Sequence, residues 1–414
     1  MLSKALTYAL PYPILIVVRL SRTRATARPF TLLCLCGFNA LGAVRLRAAL
    51  APMILSRLDI LQVRNLQDVR VVCHPEANVI YGANGSGKTS LLEAIYLLGR
   101  GRSFKHRDLR LVISEGATEL VVSARVERSP PKSGYQLGVK RTVAGKFEAR
   151  LDGAALQSSA QLVEALPLQM IDAHSFTLLE GGPLQRRQFL DWGVFHVEHG
   201  YSGLWKRFQK ALKQRNQLLR HGRMDQASLS AWTAELTPLS DEITGYRRDY
   251  LAELSRHALE AAEGFGGLGK VQLDYYQGWR DDCSLVEALE ASRVRDIATG
   301  TTNVGAHKAD IIIKVDGVPA AERLSRGQVK LLVYALKLAQ AAHFRDKTGR
   351  GCVFLLDDLP AELDYQHRGQ VVSCLNSLEC QYFMTGVDRK DFESLVDGMA
   401  HQMFHMEHGV ASEG

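Results

Sequence analysis

The chain has 414 residues, enough for two or three domains around a large core. Its 46% hydrophobic and 23% charged residues exclude a disordered or fibrous protein. The net charge of +7 does not by itself argue for a nucleic-acid partner: Lys4, Arg19, Arg22, Arg24, Arg28, Arg45 and Arg47 lie in an acid-free stretch, 1–52, so residues 53–414 are in balance.

Residues 1–52 are Arg-rich with two apolar runs, a composition shared by transit peptides, signal peptides and membrane anchors. The uncharged window Pro29–Val44 is short for a membrane-spanning helix. Met53 follows closely, and ILSRLDILQVRNL then alternates like a first strand. We therefore read 1–52 as a basic extension from a mis-assigned start or a disordered tail, with targeting as the lesser alternative. Seven cysteines show no paired metal or disulfide spacing, which predicts free thiols in a reducing cytoplasm.

The chemistry begins at Gly82-Ala83-Asn84-Gly85-Ser86-Gly87-Lys88-Thr89, which has the G-x-x-x-x-G-K-[ST] spacing of a phosphate loop. Glycines let backbone N–H groups curl around phosphates, Lys88 supplies a positive charge for the β- and γ-phosphates, and the Thr89 hydroxyl suits Mg²⁺. An apolar run, Asn78–Tyr81, precedes the loop, and Leu91, Leu92, Ile95 and Leu98 follow at helical spacing, so strand, loop and helix N-terminus are predicted in order.

From Val121 to Leu151 three strand-like stretches are separated by Pro130-Pro131 and Ala144-Gly145, which predicts an antiparallel subsheet. Gln169, in LPLQMI, is a candidate loop glutamine for the nucleotide site. From about Gly182 to Glu263 the pattern turns helical. There Lys206, Lys210 and Lys213, joined by Arg207, Arg215 and Arg220, run beside the apolar stripe of Leu204, Phe208, Ala211 and Leu212. Such a basic edge suits a DNA phosphate backbone, and it suits equally the solvated face of a helical hairpin.

Two later segments complete a nucleotide site. Leu324-Ser325-Arg326-Gly327-Gln328 is similar to the LSGGQ signature of ABC-type ATPases, a second phosphate cradle at a helix start. Gly351–Asp358 is an apolar strand ending in two carboxylates, with Asp357 placed for Mg²⁺ and Asp358 for the base that activates water. Glu362-Leu363-Asp364 follows like a D-loop. The interval from Lys88 to Ser325 is too long for a transport subunit and too short for the coiled coil of an SMC protein, and no guanine-reading motif is present.

Together VRNL (63–66), GANGSGKT, LLGRGRSFK (97–105), GGPLQRRQFLDWGVFHVE (181–198), LKQRNQLLR (212–220), GAHKAD (305–310), LSRGQ and LLDDLPAELD (355–364) resemble the RecF family of bacterial recombination mediators over nearly all of 53–414. The resemblance implies an α/β ABC-type, SMC-like head of two lobes with a helical arm. We expect lobe I in 53–175, the arm in 176–290 and lobe II in 291–414. It implies an ATP- and Mg²⁺-dependent homodimer on double-stranded and gapped DNA. It also implies work with RecO and RecR to load RecA in the cytoplasm, without a membrane partner. By resemblance Lys88 and Thr89 hold phosphate and Mg²⁺, Ser325, Gly327 and Gln328 face the partner's ATP, Asp357 supports Mg²⁺, Asp364 faces the dimer, and Arg64 contacts phosphate. An SMC-like DNA bridge and a transport ATPase subunit are the rival readings. Two departures stand out: Asp358 where related enzymes carry Glu, which predicts slow hydrolysis, and no switch histidine in 381–388, where Thr385 and Asp388 are the substitutes on offer.

Overall fold

The computed structural model describes residues 53–128, 133–220 and 226–414, so the 1–52 extension and the Pro130-Pro131 turn lie outside the described residues. Lobe I opens with β1 (Met53–Val63), β2 (Leu66–Val72) and β3 (Ala77–Tyr81). After α1 (Lys88–Arg100) come β4 (Glu119–Arg128), β5 (Ser133–Thr142), β6 (Phe147–Leu151), β7 (Ala154–Ala155) and β8 (Leu168–Ile171). The antiparallel subsheet has the order β2-β1-β4-β5-β6-β7. β1 explains why its alternation changes phase: Met53 and Leu55 face inward, a register shift falls between Leu55 and Arg57, and Leu58 and Ile60 then take over the inward face.

The arm consists of α2 (Pro183–Val197), α3 (Tyr201–Arg220) and the 40-residue α4 (Gln226–Phe265). A small sheet, β9 (Val271–Tyr276), β10 (Asp310–Val315) and β11 (Val318–Pro319), has the order β11-β10-β9. Lobe II adds α5 (Arg326–Thr348), β12 (Val353–Leu356), α6 (Tyr365–Ser377), β13 (Tyr382–Gly386), β14 (His401–Glu407) and β15 (Val410–Glu413).

The central sheet, β15-β14-β3-β13-β12-β8, draws strands from both lobes, and all its pairings are parallel except β14–β15. Strands β8, β12 and β13 are short apolar runs with every residue buried, as covered parallel strands must be. On one face Ile80, Val353, Leu355 and Phe383 share a core with α1 and the subsheet. On the other, Val79, Phe354, Leu356 and Met384 share a core with α5 and the arm helices.

Most of the motifs in 181–198 and 305–310 serve to fasten the arm. Arg186 grips Asp310 with two bonds (2.7 and 2.9 Å), and Arg187 donates to the Ala309 carbonyl at 2.7 Å. The fully buried Arg247 of α4 pairs with Asp191 and donates to the Ala306 carbonyl at 2.6 Å. Such a buried pair is tolerated because nearly every donor finds an acceptor.

Candidate nucleotide site

The loop between β3 and α1 is shaped by backbone that only glycine adopts readily. Gly82 has φ 150°, and a Cβ there would stand 2.2 Å from the Met406 carbonyl oxygen. Gly87, with φ 116°, caps α1 without any side-chain bond, so the first amides of α1 are left for an anion. Ala83, Asn84 and Gly85 are exposed, and the buried Ser86 hydroxyl has no partner among the described residues. Lys88 Nζ donates to the carbonyls of Gly82 (2.7 Å) and Ala83 (2.9 Å). Burial lowers its pKa, and the nearby Asp358 and Asp357 oppose that shift.

The loop is joined to the residue that follows β12: the Thr89 hydroxyl donates to Asp357 Oδ1 at 3.1 Å. Thr385 on β13 donates to the same oxygen at 2.8 Å and accepts from the Asp358 amide at 2.8 Å. Burial raises the Asp357 pKa, against the bonds from Thr385 and Thr89. Asp358 is exposed and held at φ 55°, a left-handed conformation that is uncommon outside glycine. A hydroxyl and a carboxylate side by side are hard oxygen donors of the kind Mg²⁺ takes alongside phosphate oxygens. Asp388, the other substitute for a switch histidine, instead accepts from the Lys390 amide on the surface.

Ser325 is the N-cap of α5, in a reciprocal capping box with Gln328. Ser325 and Gly327 are exposed to solvent. Gln328 also donates to the Gly267 carbonyl at 3.0 Å. Asp364 is exposed, caps α6 and pairs with His367 at 2.6 Å. No hydrogen bond among the described residues joins Ser325, Gly327, Gln328 or Asp364 to the phosphate loop.

Two expectations are corrected. Gln169 is a strand residue of β8, 1% exposed, and not a loop glutamine: its amide is bound to Gln340 (3.2 Å) and Lys337 (3.3 Å) on the α5 face of the sheet. Arg215 does not belong to the basic edge of α3. It is 2% exposed and bonded to Asp296 (2.8 Å) and Thr302 (2.6 Å). Lys206, Lys210 and Lys213 are exposed on α3, and Arg207 is paired with Glu235 at 2.9 Å.

Arg64 stands beside the loop, but its guanidinium is taken up by the buried Glu93 (2.9 Å) and the Leu111 carbonyl (2.7 Å). Its neighbour Asn65, not singled out in the sequence, is the residue that touches the site: it donates to the Gly85 carbonyl at 3.3 Å and accepts from Ser90 at 2.9 Å. A carboxylate within the apolar run LLEAI was the available signal for the Arg64–Glu93 pair.

A two-lobed α/β head with a strand–loop–helix phosphate cradle, a carboxylate on the neighbouring strand and a capped signature helix defines an SMC-like head of the ABC ATPase class. The model of the RecF/RecN/SMC N-terminal domain matches residues 54–412. The DNA replication and repair protein RecF of Stutzerimonas stutzeri is 48% identical over 366 residues, covering 87% of this chain and 98% of that protein. That of Azotobacter vinelandii is 45% identical over 361 residues, covering 86% and 98%. The chain belongs to the RecF family. The solved recombination mediator RecF with ATP, from the RecFOR pathway, superposes with a TM-score of 0.80 at 23% identity over 89% of this chain and 99% of that one. An SMC head bound to the C-terminal winged-helix domain of ScpA gives 0.54 at 14% identity, over 87% and 97%. These two likenesses establish the fold.

Proposed function

We propose that the protein is an ATP-driven switch of DNA repair and replication, in which two copies close on double-stranded or gapped DNA. Each ATP lies between Gly82–Thr89 of one copy and Ser325–Gln328 of the other. The observation that carries this reading is the division of the site within one chain: the cradle is tied to Asp357 through Thr89, while the signature Ser325 faces solvent with no nucleotide-site partner among the described residues. The γ-phosphate then adds contacts only in the closed pair, so ATP favours the dimer by its differential affinity.

Thr89 and Asp357 would hold Mg²⁺, which supplies charge neutralisation to the phosphates. Lys88, held against the Gly82 and Ala83 carbonyls, supplies positive charge to the phosphates. Asp358 acts as base toward the attacking water, and its short side chain makes hydrolysis slow and suited to timing. The exposed lysines 206, 210 and 213 supply a phosphate-backbone contact for duplex DNA. As in the family, the switch works in the cytoplasm with RecO and RecR to promote RecA loading at single-strand gaps.

Sedimentation of the full chain with ATP–Mg²⁺, with ADP and without nucleotide tests this. The mass should double with ATP alone, a gapped duplex should strengthen the dimer, and Ser325→Arg should abolish it while ATP still binds. A Ser325→Arg protein that dimerises with ATP contradicts the shared site. Asp358→Asn should prolong the dimer.

A further inference from the structure

Beside the nucleotide site is a cleft of about 720 Å³, bounded by the loop after α1, the turn after β8, the start of α2 and Lys337 of α5. Its charged lining is one-sided: Arg100, Arg102, Lys105, Arg107 and Lys337 against the single carboxylate of Asp172. None of these five cations takes part in an ion pair among the described residues, although exposed arginines elsewhere in the molecule commonly do. Asp172 spends its Oδ1 on the Ser175 amide and hydroxyl.

Lys337 shows how short of anions the cleft is. Its stem lies along Phe189, with the ammonium 5.8 Å from the ring, and among the described residues its Nζ has only the Gln169 amide oxygen. Burial, with Arg100 beside it, pushes its pKa down to about 8. A site that holds five positive charges this close favours a ligand carrying several negative ones.

The shape selects among such ligands. The cleft is open to solvent; of the aromatic residues in its lining Tyr96, Phe189 and Trp192 are buried and Phe104 is half-buried. A duplex presents its phosphates on a convex rod and reaches only the rim. A single strand is narrow and flexible enough to enter, with phosphates on the cations and a base against the half-buried Phe104 ring. Lys105 also acts electrostatically on Asp357, so the cleft adjoins the carboxylate of the nucleotide site.

We propose that this cleft binds the phosphodiester backbone of a single DNA strand, as a site separate from the lysine edge of α3. One protomer then engages both sides of a gap, duplex on the arm and single strand between the lobes. The proposal rests on the DNA-binding reading above.

The test uses the full chain with ATP–Mg²⁺, a fluorescein-labelled oligo-dT and a duplex of the same length, followed by anisotropy over a salt series. Arg102 and Arg107 are exposed, so Arg102→Glu with Arg107→Glu should leave folding intact, checked by circular dichroism. Single-strand affinity should fall about tenfold or more, and the salt slope should lose about 1.4 for two phosphate contacts, with duplex affinity within about twofold. Lys206→Glu with Lys210→Glu should show the reverse. The proposal is overturned if the cleft variant binds the single strand as the parent does, or weakens both DNAs equally. It also falls if inorganic tripolyphosphate fills the cleft without displacing the strand. If the parent binds neither DNA, the DNA-binding reading fails too, while the ATP-driven mass doubling still stands or falls by itself.

Discussion

Replacing Thr385 by valine removes one hydroxyl at nearly constant volume, and that hydroxyl holds both carboxylate residues of the site. It donates to Asp357 Oδ1 at 2.8 Å and accepts from the Asp358 amide at 2.8 Å, and Thr385 is 1% exposed. A hydrogen bond to a charged group contributes about 1.5–3 kcal/mol, and a backbone amide deprived of its acceptor costs about 1–3 kcal/mol. Because Asp358 is exposed and water can replace part of the second term, we expect a loss of about 2–4 kcal/mol in folding stability. The same bonds fix where Asp357 and Asp358 point, so single-turnover hydrolysis should fall about tenfold or more, each tenfold corresponding to about 1.4 kcal/mol of barrier. ATP binding, which rests on the phosphate loop, should change far less. Thr385→Ser keeps the hydroxyl and should recover most of the rate, although it leaves a methyl-sized void. Urea unfolding and single-turnover hydrolysis at saturating ATP–Mg²⁺ measure both effects. A valine variant within about twofold in rate and about 0.5 kcal/mol in stability would refute the role given to Thr385.

Gly82→Ala should displace the phosphate loop, since its Cβ would meet the Met406 carbonyl at 2.2 Å and its φ is 150°; calorimetric ATP affinity should drop about tenfold, from strain of about 1–3 kcal/mol, while the circular dichroism spectrum stays unchanged. His307 should make the arm acid-sensitive: burial, partly offset by the Thr302 carbonyl, holds its folded pKa down at about 4. With the folded value below the ordinary 6.5, its stabilising contribution is complete above pH 6.5 and fades as pH falls toward 4, a change of about 2–3 kcal/mol that His307→Asn should flatten in denaturant titrations.

The nucleotide half of the molecule was legible because its signals are local. The run Gly82–Thr89, the apolar strand ending at Asp357 and the segment Leu324–Gln328 each lie within a few consecutive residues. What escaped depends on contacts between distant segments. Gln169 has the composition of a loop residue but sits in a strand because β8 pairs with β12, and Arg215 reads as one more cation on a basic helix until Asp296 comes to meet it from 81 positions further on. Asn65 and Glu93 were hidden for the same reason, since their partners Gly85, Ser90 and Arg64 are brought together only by folding. Several motifs that marked the family, such as Arg186, Arg187 and Asp310, prove to fasten the arm to the small sheet rather than to touch the nucleotide site.

The arm does not have a core to itself. Leu236, Ile243, Tyr250, Leu254 and Ala258 of α4 belong to one continuous apolar cluster with Leu331, Leu332, Leu338 and Phe344 of α5 and with Phe354, Leu356 and Met384 of the central sheet. Lobe I's subsheet and α1 form a second cluster. Polar ties follow the same line: Gln340 donates to the Tyr250 hydroxyl at 3.2 Å, and Glu253 bridges His343 (2.8 Å) and Lys347 (2.6 Å), while Gln328 at the start of α5 holds Gly267 just past the end of α4. Segments that share a core open together, so the helix bearing Ser325 should be unable to tilt without carrying the arm. Native-state hydrogen exchange read by mass spectrometry tests this. Amides of Tyr250–Ala262 should exchange with the same opening free energy as those of Leu331–Phe344, and Glu253→Ala should lower both by the same amount. Arm amides that exchange at a much lower free energy than α5 would mean that the arm moves by itself, and a force applied to it by DNA would then not reach the signature helix.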